Sequence, residues 1–510
     1  MTIVDEDRIT KVARRADAIT NVPAPRVATE PPTVFFDESG LQVPKLADAV
    51  AKGTRLQLGI DGRIYRYSDG VYRSDGEAFV RSRTKEILGK KFRRRHTDEV
   101  LAYFRSAFPT IGEHPPAGLL NLRNGLLNLR TLSLQPHSPD VLSTIQLPVI
   151  WDPDATCPMI DRFLSEVVPP DAVDLIYEVI GYATYPANPF RVAVLLLGPG
   201  RNGKSVLLRL LTAFLGMRNV SSMPLQVLAE NRFAPAELLG KLANICGDLD
   251  AREVRRSDQF KIITGGDMMN AERKYGHPFQ FTPYSLLAFS ANEAPISSDQ
   301  TEAWFDRWII VPMEHRFSEK EADAFLFSKL ATPAELSGLL VLAVRALQRL
   351  MIRGRFERPS SIEAAGDAYR DKLDTCRGFV GEMCRFNPDG WASKPGLYAA
   401  YRDWCRDSGR LAVSAVRFNE HMMANYAAQV GKTTRHGTDG WAGIEIVTNR
   451  VDPSWSSRGG KGGEGGSFSS SPTRARDKEG GNTPPLPPSP PNGVEADVFT
   501  WLDPDLEEGF

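Results

Sequence analysis

The chain has 510 residues, 42% of them apolar and 25% charged, with a formal net charge of -1. Those proportions fit a soluble globular protein of about three folded units, and they give no global signal for binding a polyanion, so any basic surface must be local. The five cysteines, Cys157, Cys246, Cys376, Cys384 and Cys405, form no Cys-x-x-Cys pair and no zinc spacing, which argues for reduced thiols in a cytoplasmic setting.

The first 15 residues lack the apolar core of a signal peptide, and the stretch ELSGLLVLAVRALQRL is broken by Arg345 and Arg349, so neither a leader nor a membrane span is expected. Residues 1–35 mix charge, Ala, Pro and Thr without period and read as a mobile arm. A small α+β region over 36–110 follows. Asp61-Gly62, Asp69-Gly70 and Asp75-Gly76 punctuate short alternating segments and predict a β meander, after which residues 77–107 look helical. The run KKFRRRH at 90–96 is either a solvated helix face or a DNA-facing patch.

Residues 111–188 predict strands between 119 and 150, broken at Asn124-Gly125 and by Pro136, Ser138 and Pro139, and then helices over 158–185. From 189 to 318 apolar strands alternate with helices, as a parallel sheet requires. A helical extension spans 319–375. Over 376–450 three helices and the strand pair KTTRHGTDGW and AGIEIV suggest a winged helix. Its recognition helix, Ser414 to Ala424, would present Arg417, Asn419 and His421, and its wing Lys432, Arg435 and His436, to DNA or to a protein. Residues 451–493 are a low-complexity tether, and 494–510 end in VFTWLDPDLEEGF, either a docking motif for a separate primase or replication protein or a disordered remnant.

Chemistry concentrates in the centre. Gly198-Pro199-Gly200-Arg201-Asn202-Gly203-Lys204-Ser205 follows the apolar run Val192 to Leu197 and opens the helix SVLLRLLTAFLG, which meets the full phosphate-loop pattern in its required context. Backbone N–H groups from Gly198 to Val206 would cradle the phosphates of ATP. Lys204 would neutralise the outer oxygens and the Ser205 hydroxyl would ligate Mg²⁺. In KLANICGDLD, Asp248 and Asp250 stand two apart, so an extended backbone turns both to one side. Asp248 is expected on Mg²⁺ through water and Asp250 near the attacking water, with the roles open to exchange or one acid serving as a helix cap.

Beyond a short helix from Ser257 to Gly265-Gly266, two segments that can pair carry Arg273, Lys274, Tyr275 and His277 at or near their crossing, where they are candidate DNA-binding residues. Lys274 and His277 are candidate phosphate contacts and Tyr275 a base-stacking or packing group, although His277 precedes Pro278 and reads better as structural. The strand Ser285 to Ser290 leads to Asn292, a neutral amide able to bond both water and a γ-phosphate. Phe305-Asp306-Arg307-Trp308 then opens another apolar strand.

This run resembles the superfamily 3 helicases, in the branch of the poxvirus and phage or plasmid primase-helicases, over about 110–318 and more weakly to about 450. The resemblance implies an α/β P-loop core of AAA+ type. An N-terminal α+β helicase-associated collar bearing NGLLNLRT, PHSPD and DPDATCP would precede it, and a C-terminal winged helix would follow. It implies Lys204 and Ser205 in the phosphate loop, Asp248 and Asp250 on the acidic strand, Lys274 as the hairpin cation, Asn292 as the sensor and Arg307 as an arginine finger from a neighbouring subunit. Relatives commonly carry Glu where Asp248 stands. ATP and Mg²⁺ as cofactors, a homo-hexamer around single-stranded DNA, 3′ to 5′ movement and a mobile element or phage replicating in a bacterial cytoplasm are implied as well. No paired-carboxylate primase motif precedes residue 110, so primer synthesis by this chain is not expected. The competing readings are an ATP-assembled origin-binding or interfering scaffold and another P-loop DNA motor; a small-molecule kinase would leave the hairpin, finger and winged helix unexplained.

Overall fold

Five apolar runs between 193 and 312 pair side by side because both of their faces are covered, the condition under which parallel strands form. The computed structural model describes residues 31–447 apart from 108–109, 251–253, 255, 275, 277, 298, 300 and 411. The arm before 31, the tether and the terminal motif lie outside the described residues. Within them the chain divides into two compact units, one ending at Leu373 and one beginning at Asp374.

In the first unit, β1 (Phe36–Asp37) and β2 (Gly40–Leu41) form a short hairpin before α1 (Val43–Ala51). The expected meander is β3 (Leu56–Leu58), β4 (Ile64–Ser68) and β5 (Val71–Arg73), turned at Asp61-Gly62 and Asp69-Gly70, whereas Asp75-Gly76 is no hairpin turn but the start of α2 (Gly76–Leu88), which α3 (Arg94–Ala107) follows. Leu46, Val50, Ile64, Val80, Val100 and Phe104 make its core, and Phe35 is buried with them, so ordered chain starts within the stretch expected to be a mobile arm. In the basic run, His96 is buried whereas Arg93, Arg94 and Arg95 are exposed. Next come the antiparallel strands β6 (Leu119–Leu122), β7 (Gly125–Asn128) and β8 (Leu134–Gln135), then α4 (Pro158–Val167) and α5 (Val173–Tyr182).

The central elements are β9 (Ala193–Leu197), α6 (Lys204–Leu215), β10 (Val220–Ser221), α7 (Leu225–Glu230), β11 (Ala243–Cys246), α8 (Ser257–Gly265), β12 (Met269–Ala271), β13 (Phe279–Phe281), β14 (Leu286–Ala291), α9 (Glu302–Phe305) and β15 (Trp308–Pro312). The sheet runs β10-β11-β14-β9-β15 with every pairing parallel. Alternate residues point to opposite faces. Val194, Leu196, Ala288 and Ile309 join the core that holds α4, α5 and α6, while Leu195, Phe289 and Ile310 pack with Phe260, Ile263 and Trp304 on the other face. The unit closes with α10 (Leu326–Leu330), α11 (Pro333–Arg353) and α12 (Ser360–Leu373).

The second unit contains α13 (Thr375–Met383), β16 (Cys384–Ser393), α14 (Lys394–Asp407), α15 (Ala415–Tyr426), β17 (Gly431–Arg435) and β18 (Thr438–Ile446), with sheet order β16-β18-β17 around Phe379, Tyr401, Phe418 and Trp441. Three helices and a strand pair were expected; β16 is an addition. Its register shifts between Phe386 and Trp391, across Pro388 and Gly390, so the alternation that marks a strand is broken in the sequence. No helix among the described residues is long and apolar enough to cross a membrane.

Helices α5 and α11 meet closely at Gly181, where a Cβ would collide with the Ala343 carbonyl and lie 3.0 Å from Leu347 Cβ. Gly181→Ala should therefore lower stability by about 1–3 kcal/mol through overpacking. A reduced urea midpoint at unchanged m-value is the expected readout, and an unchanged midpoint would mean the helices shift apart without cost.

Candidate active site

Because the strands are parallel, their C-terminal ends share one edge of the sheet, and the loop from Gly198 to Gly203 joins the end of β9 to α6 there. Gly203 has φ +87° and caps α6; a Cβ on it would stand 2.7 Å from Val167 Cγ1, so both backbone and packing require glycine. Asn202, 2% exposed, ties the loop down: its Nδ2 donates to the Met313 carbonyl at 2.5 Å and its Oδ1 accepts from Lys204 Nζ at 3.0 Å. Arg201 is exposed, pairs with Glu319 at 3.1 Å and accepts from the Phe317 amide at 2.9 Å. Pro199, Gly200 and Ser205 are exposed at this edge and Val206 is half-buried in the first turn of α6. The helix start turns unpaired N–H groups and the positive end of its dipole toward the loop, an arrangement suited to an anion.

Lys204 is the buried cation of the loop. Its Nζ donates to the carbonyls of Gly198 at 2.6 Å and Pro199 at 2.8 Å, and to Asn292 Oδ1 at 3.4 Å. Burial lowers its pKa, and the charge of Asp248 pulls the other way. Asn292 reaches it because β14 lies between β9 and β11, with Ala291 opposite Leu197. On the other side of β14, the Leu249 amide donates to the Ser290 carbonyl at 2.7 Å and the Asp248 amide to Ser290 Oγ at 3.4 Å. Lys204, Asn292 and Asp248 thus gather at one edge.

The acidic pair is not arranged as its spacing suggested. Strand β11 stops at Cys246 and Asp248 has φ +52°, so the rule that alternate residues of an extended chain share a face does not reach Asp248 and Asp250. Both are exposed, and the Asp250 carbonyl accepts from Gln226 Nε2 at 3.0 Å.

Arg307 lies elsewhere. Trp308 pairs with Ala193 and Pro312 with Leu197, so Arg307 stands before the start of the strands whose far ends carry the loop. Five residues of parallel strand separate the levels by about 17 Å. Its guanidinium donates to Thr264 Oγ1 at 3.0 Å and to the Ala303 carbonyl at 2.5 Å; burial and the nearby Arg191 lower its pKa.

Strands β12 and β13 pair antiparallel, Met269 opposite Phe281, and Lys274 is exposed in their connection. Arg273, expected to face DNA, instead roots the hairpin: it donates to the Ala236 carbonyl at 3.3 Å and forms ion pairs with Asp61 at 3.7 Å and Glu237 at 3.6 Å. Tyr275 and His277 lie outside the described residues. In the second unit Arg417, Lys432 and Arg435 are exposed. Two other residues expected on its recognition surface are engaged internally, His421 Nε2 with Asp374 Oδ2 at 2.8 Å and Asn419 Nδ2 with the Ala415 carbonyl at 2.7 Å.

One feature had no sequence signal. A cleft of about 620 Å³ opens beside the loop between α4 and residues 317–329, lined by Phe163, Val206, Phe317 and Leu326 on its apolar side and, on its polar side, by Glu319, Glu321 and the ion pairs Arg162–Glu166 and Lys329–Asp323. Its walls come from segments more than a hundred residues apart, so no local pattern announces it. The mixture of apolar surface and a few polar groups is typical of small-molecule sites.

Residues 44–169 match the family described as D5 N terminal like, and residues 196–307 match a family of unknown function (DUF5906). Putative helicase 022R of Frog virus 3 is 26% identical over 284 residues, covering 51% of this chain and 28% of that protein. Putative helicase L207/L206 of Acanthamoeba polyphaga mimivirus is 26% identical over 322 residues, 57% of this chain and 33% of its own. Putative helicase 121R of Invertebrate iridescent virus 3 is 26% identical over 367 residues, 63% and 38% respectively. The chain therefore spans 28–38% of the length of these curated relatives. An apo structure of the NrS-1 C terminal region covers 82% of this chain and is itself covered completely, at 13% identity and a TM-score of 0.43. These matches agree with the resemblance drawn from the motifs in that the chain is similar to viral putative helicases and, over 44–169, to the D5 N-terminal family.

Asn202→Ala would leave both the Met313 carbonyl and Lys204 short of a partner. It should lower stability by about 1–3 kcal/mol, the cost of a buried unsatisfied group, without changing the circular dichroism spectrum of the folded protein. An unaltered urea midpoint would mean that the loop is held by other contacts.

Proposed function

We propose that the chain is an ATP-dependent DNA helicase of superfamily 3 type, acting as a ring, here a homo-hexamer, in the replication of a phage, plasmid or integrated element. The observation that carries this reading is the convergence of Lys204, Asn292 and Asp248 at one sheet edge while Arg307 stands at the other end of the same strands. In this reading the Gly198–Ser205 loop is a P-loop, and the first unit's sheet an AAA+-like core. The second unit is a winged helix that meets duplex DNA through Arg417, Lys432 and Arg435.

The loop's N–H groups and Lys204 bind and orient the triphosphate. The neighbouring 620 Å³ cleft takes the nucleoside. The exposed Ser205 hydroxyl and Asp248 carboxylate are oxygen donors, the set that suits Mg²⁺, which when bound would neutralise charge between the outer phosphates. Asn292 holds the attacking water without repelling it or the γ-phosphate, and Asp248 or Asp250 accepts its proton. Arg307 is too far from its own loop to take part there. It serves the transition state on the next subunit, which makes hydrolysis depend on ring assembly. The hairpin β12–β13, rooted by Arg273, presents Lys274 to one DNA strand in the channel.

Lys204→Ala should abolish ATP turnover and strand displacement on a forked DNA together. Hydrolysis by the unmodified protein without displacement would favour the ATP-assembled scaffold over the motor. Arg307→Ala should bind ATP normally and hydrolyse it roughly 10³-fold more slowly. Mixing it with Lys204→Ala subunits should restore turnover, since each supplies what the other lacks; full activity of the Arg307→Ala protein alone would remove the assignment.

A further inference from the structure

A second cleft, of about 530 Å³, lies between the β3–β5 meander and the region of the sheet near β10 and β11. Five cations line it; Arg63 and Arg273 pair with acids, and the other three come from distant parts of the chain: Arg73 on β5, Arg218 just after α6 and Lys241 just before β11. Arg73 reaches only Gln146 Oε1, at 3.5 Å, and Lys241 Nζ donates to the Arg218 carbonyl at 2.5 Å. None of the three makes an ion pair among the described residues. The two acids that line the cleft are engaged by other arginines, Asp75 by Arg66 at 2.7 Å and Glu237 by Arg273, itself a lining residue, at 3.6 Å.

Positive charge is therefore concentrated in a cleft where Arg73 and Lys241 are half-buried and Arg218 is exposed. Burial lowers the pKa of Arg73 and Arg218 lowers it further, with Asp69 and Asp75 only partly compensating. Burial lowers that of Lys241, with Arg273 adding to the effect against Glu237. Solitary surface cations sit apart in full solvent; here five cations face two carboxylates, each of which is paired with an arginine, so the remaining three repel one another and an anion relieves that repulsion. Two guanidinium forks and an ammonium suit phosphate oxygens. Arg273 lines the same cleft and lies in the β12–β13 connection beside Lys274, so the cleft is a cationic surface adjoining that connection.

We propose that this cleft binds backbone phosphates of the nucleic-acid strand, as a second contact next to the hairpin. The inference rests on the helicase reading above. It is tested on the full chain by anisotropy of a labelled single-stranded oligonucleotide over a range of salt, with a non-hydrolysable ATP analogue. Replacing Arg73, Arg218 and Lys241 with Gln together should reduce the slope of log K against log salt by about 2, and Arg218→Gln alone by about 0.7, with basal ATPase unchanged. Arg218 is exposed, so the single variant remains informative if the triple one misfolds; Arg218→Lys should keep the original slope. Tight binding by the unmodified protein with unchanged slopes in the variants would overturn this inference and leave the helicase reading standing. Absence of DNA binding by the unmodified protein would overturn both. Inorganic phosphate raising the Tm of the unmodified protein but not of the triple variant, with slopes unchanged, would assign the cleft to a free anion and overturn the strand contact.

Discussion

The site depends on one constraint, the pairing of β14 between β9 and β11 in parallel register. Parallel strands buried on both faces must end together at one edge, and whatever follows each strand is delivered there. The loop after β9, Asn292 after β14 and Asp248 after β11 are neighbours for that reason alone. Burial then does electrostatic work. Lys204 is withdrawn from water yet surrounded by the oxygens of Gly198, Pro199, Asn202 and Asn292, so its charge is held in place before any anion arrives.

The same register separates Arg307 from that cluster by the length of the strands. A charge so remote within one subunit is useless to its own loop, and in the proposed mechanism this separation is what ties hydrolysis to a neighbour. The hairpin is built differently. Its strands are only three residues each, and its attachment comes from Met269, Ala271 and Phe281 in the core and from Arg273 bonded to the body, leaving the tip to carry Lys274.

Much of this was legible locally. The loop, the helix from Ser257 ended by Gly266, the meander set by Asp-Gly turns and the apolar strands each depend on residues close in sequence, where backbone preference and burial period act directly. Reading failed where one residue's conformation or a distant partner decides. Asp248 adopts a left-handed backbone that its spacing from Asp250 concealed, and β16 lost its alternation at a bulge. Arg273 looks like a DNA-facing cation from its sequence neighbours, because Asp61, two hundred residues earlier, comes beside it only in the fold. His421 was likewise assigned outward although Asp374 holds it.

By itself the sequence determined the kinds of chemistry available: a glycine-rich turn between strand and helix, a lysine and hydroxyl at that helix start, acids and an amide at the ends of later strands, and a cation before the last strand. These follow from short-range rules. Only the tertiary structure decided which of them meet. Strand order is set by long-range burial, and it alone joins Lys204 to Asn292 and removes Arg307 to the opposite end. It also assembles both clefts from segments that share no local pattern, because a cavity is a property of packed surfaces rather than of any stretch of chain.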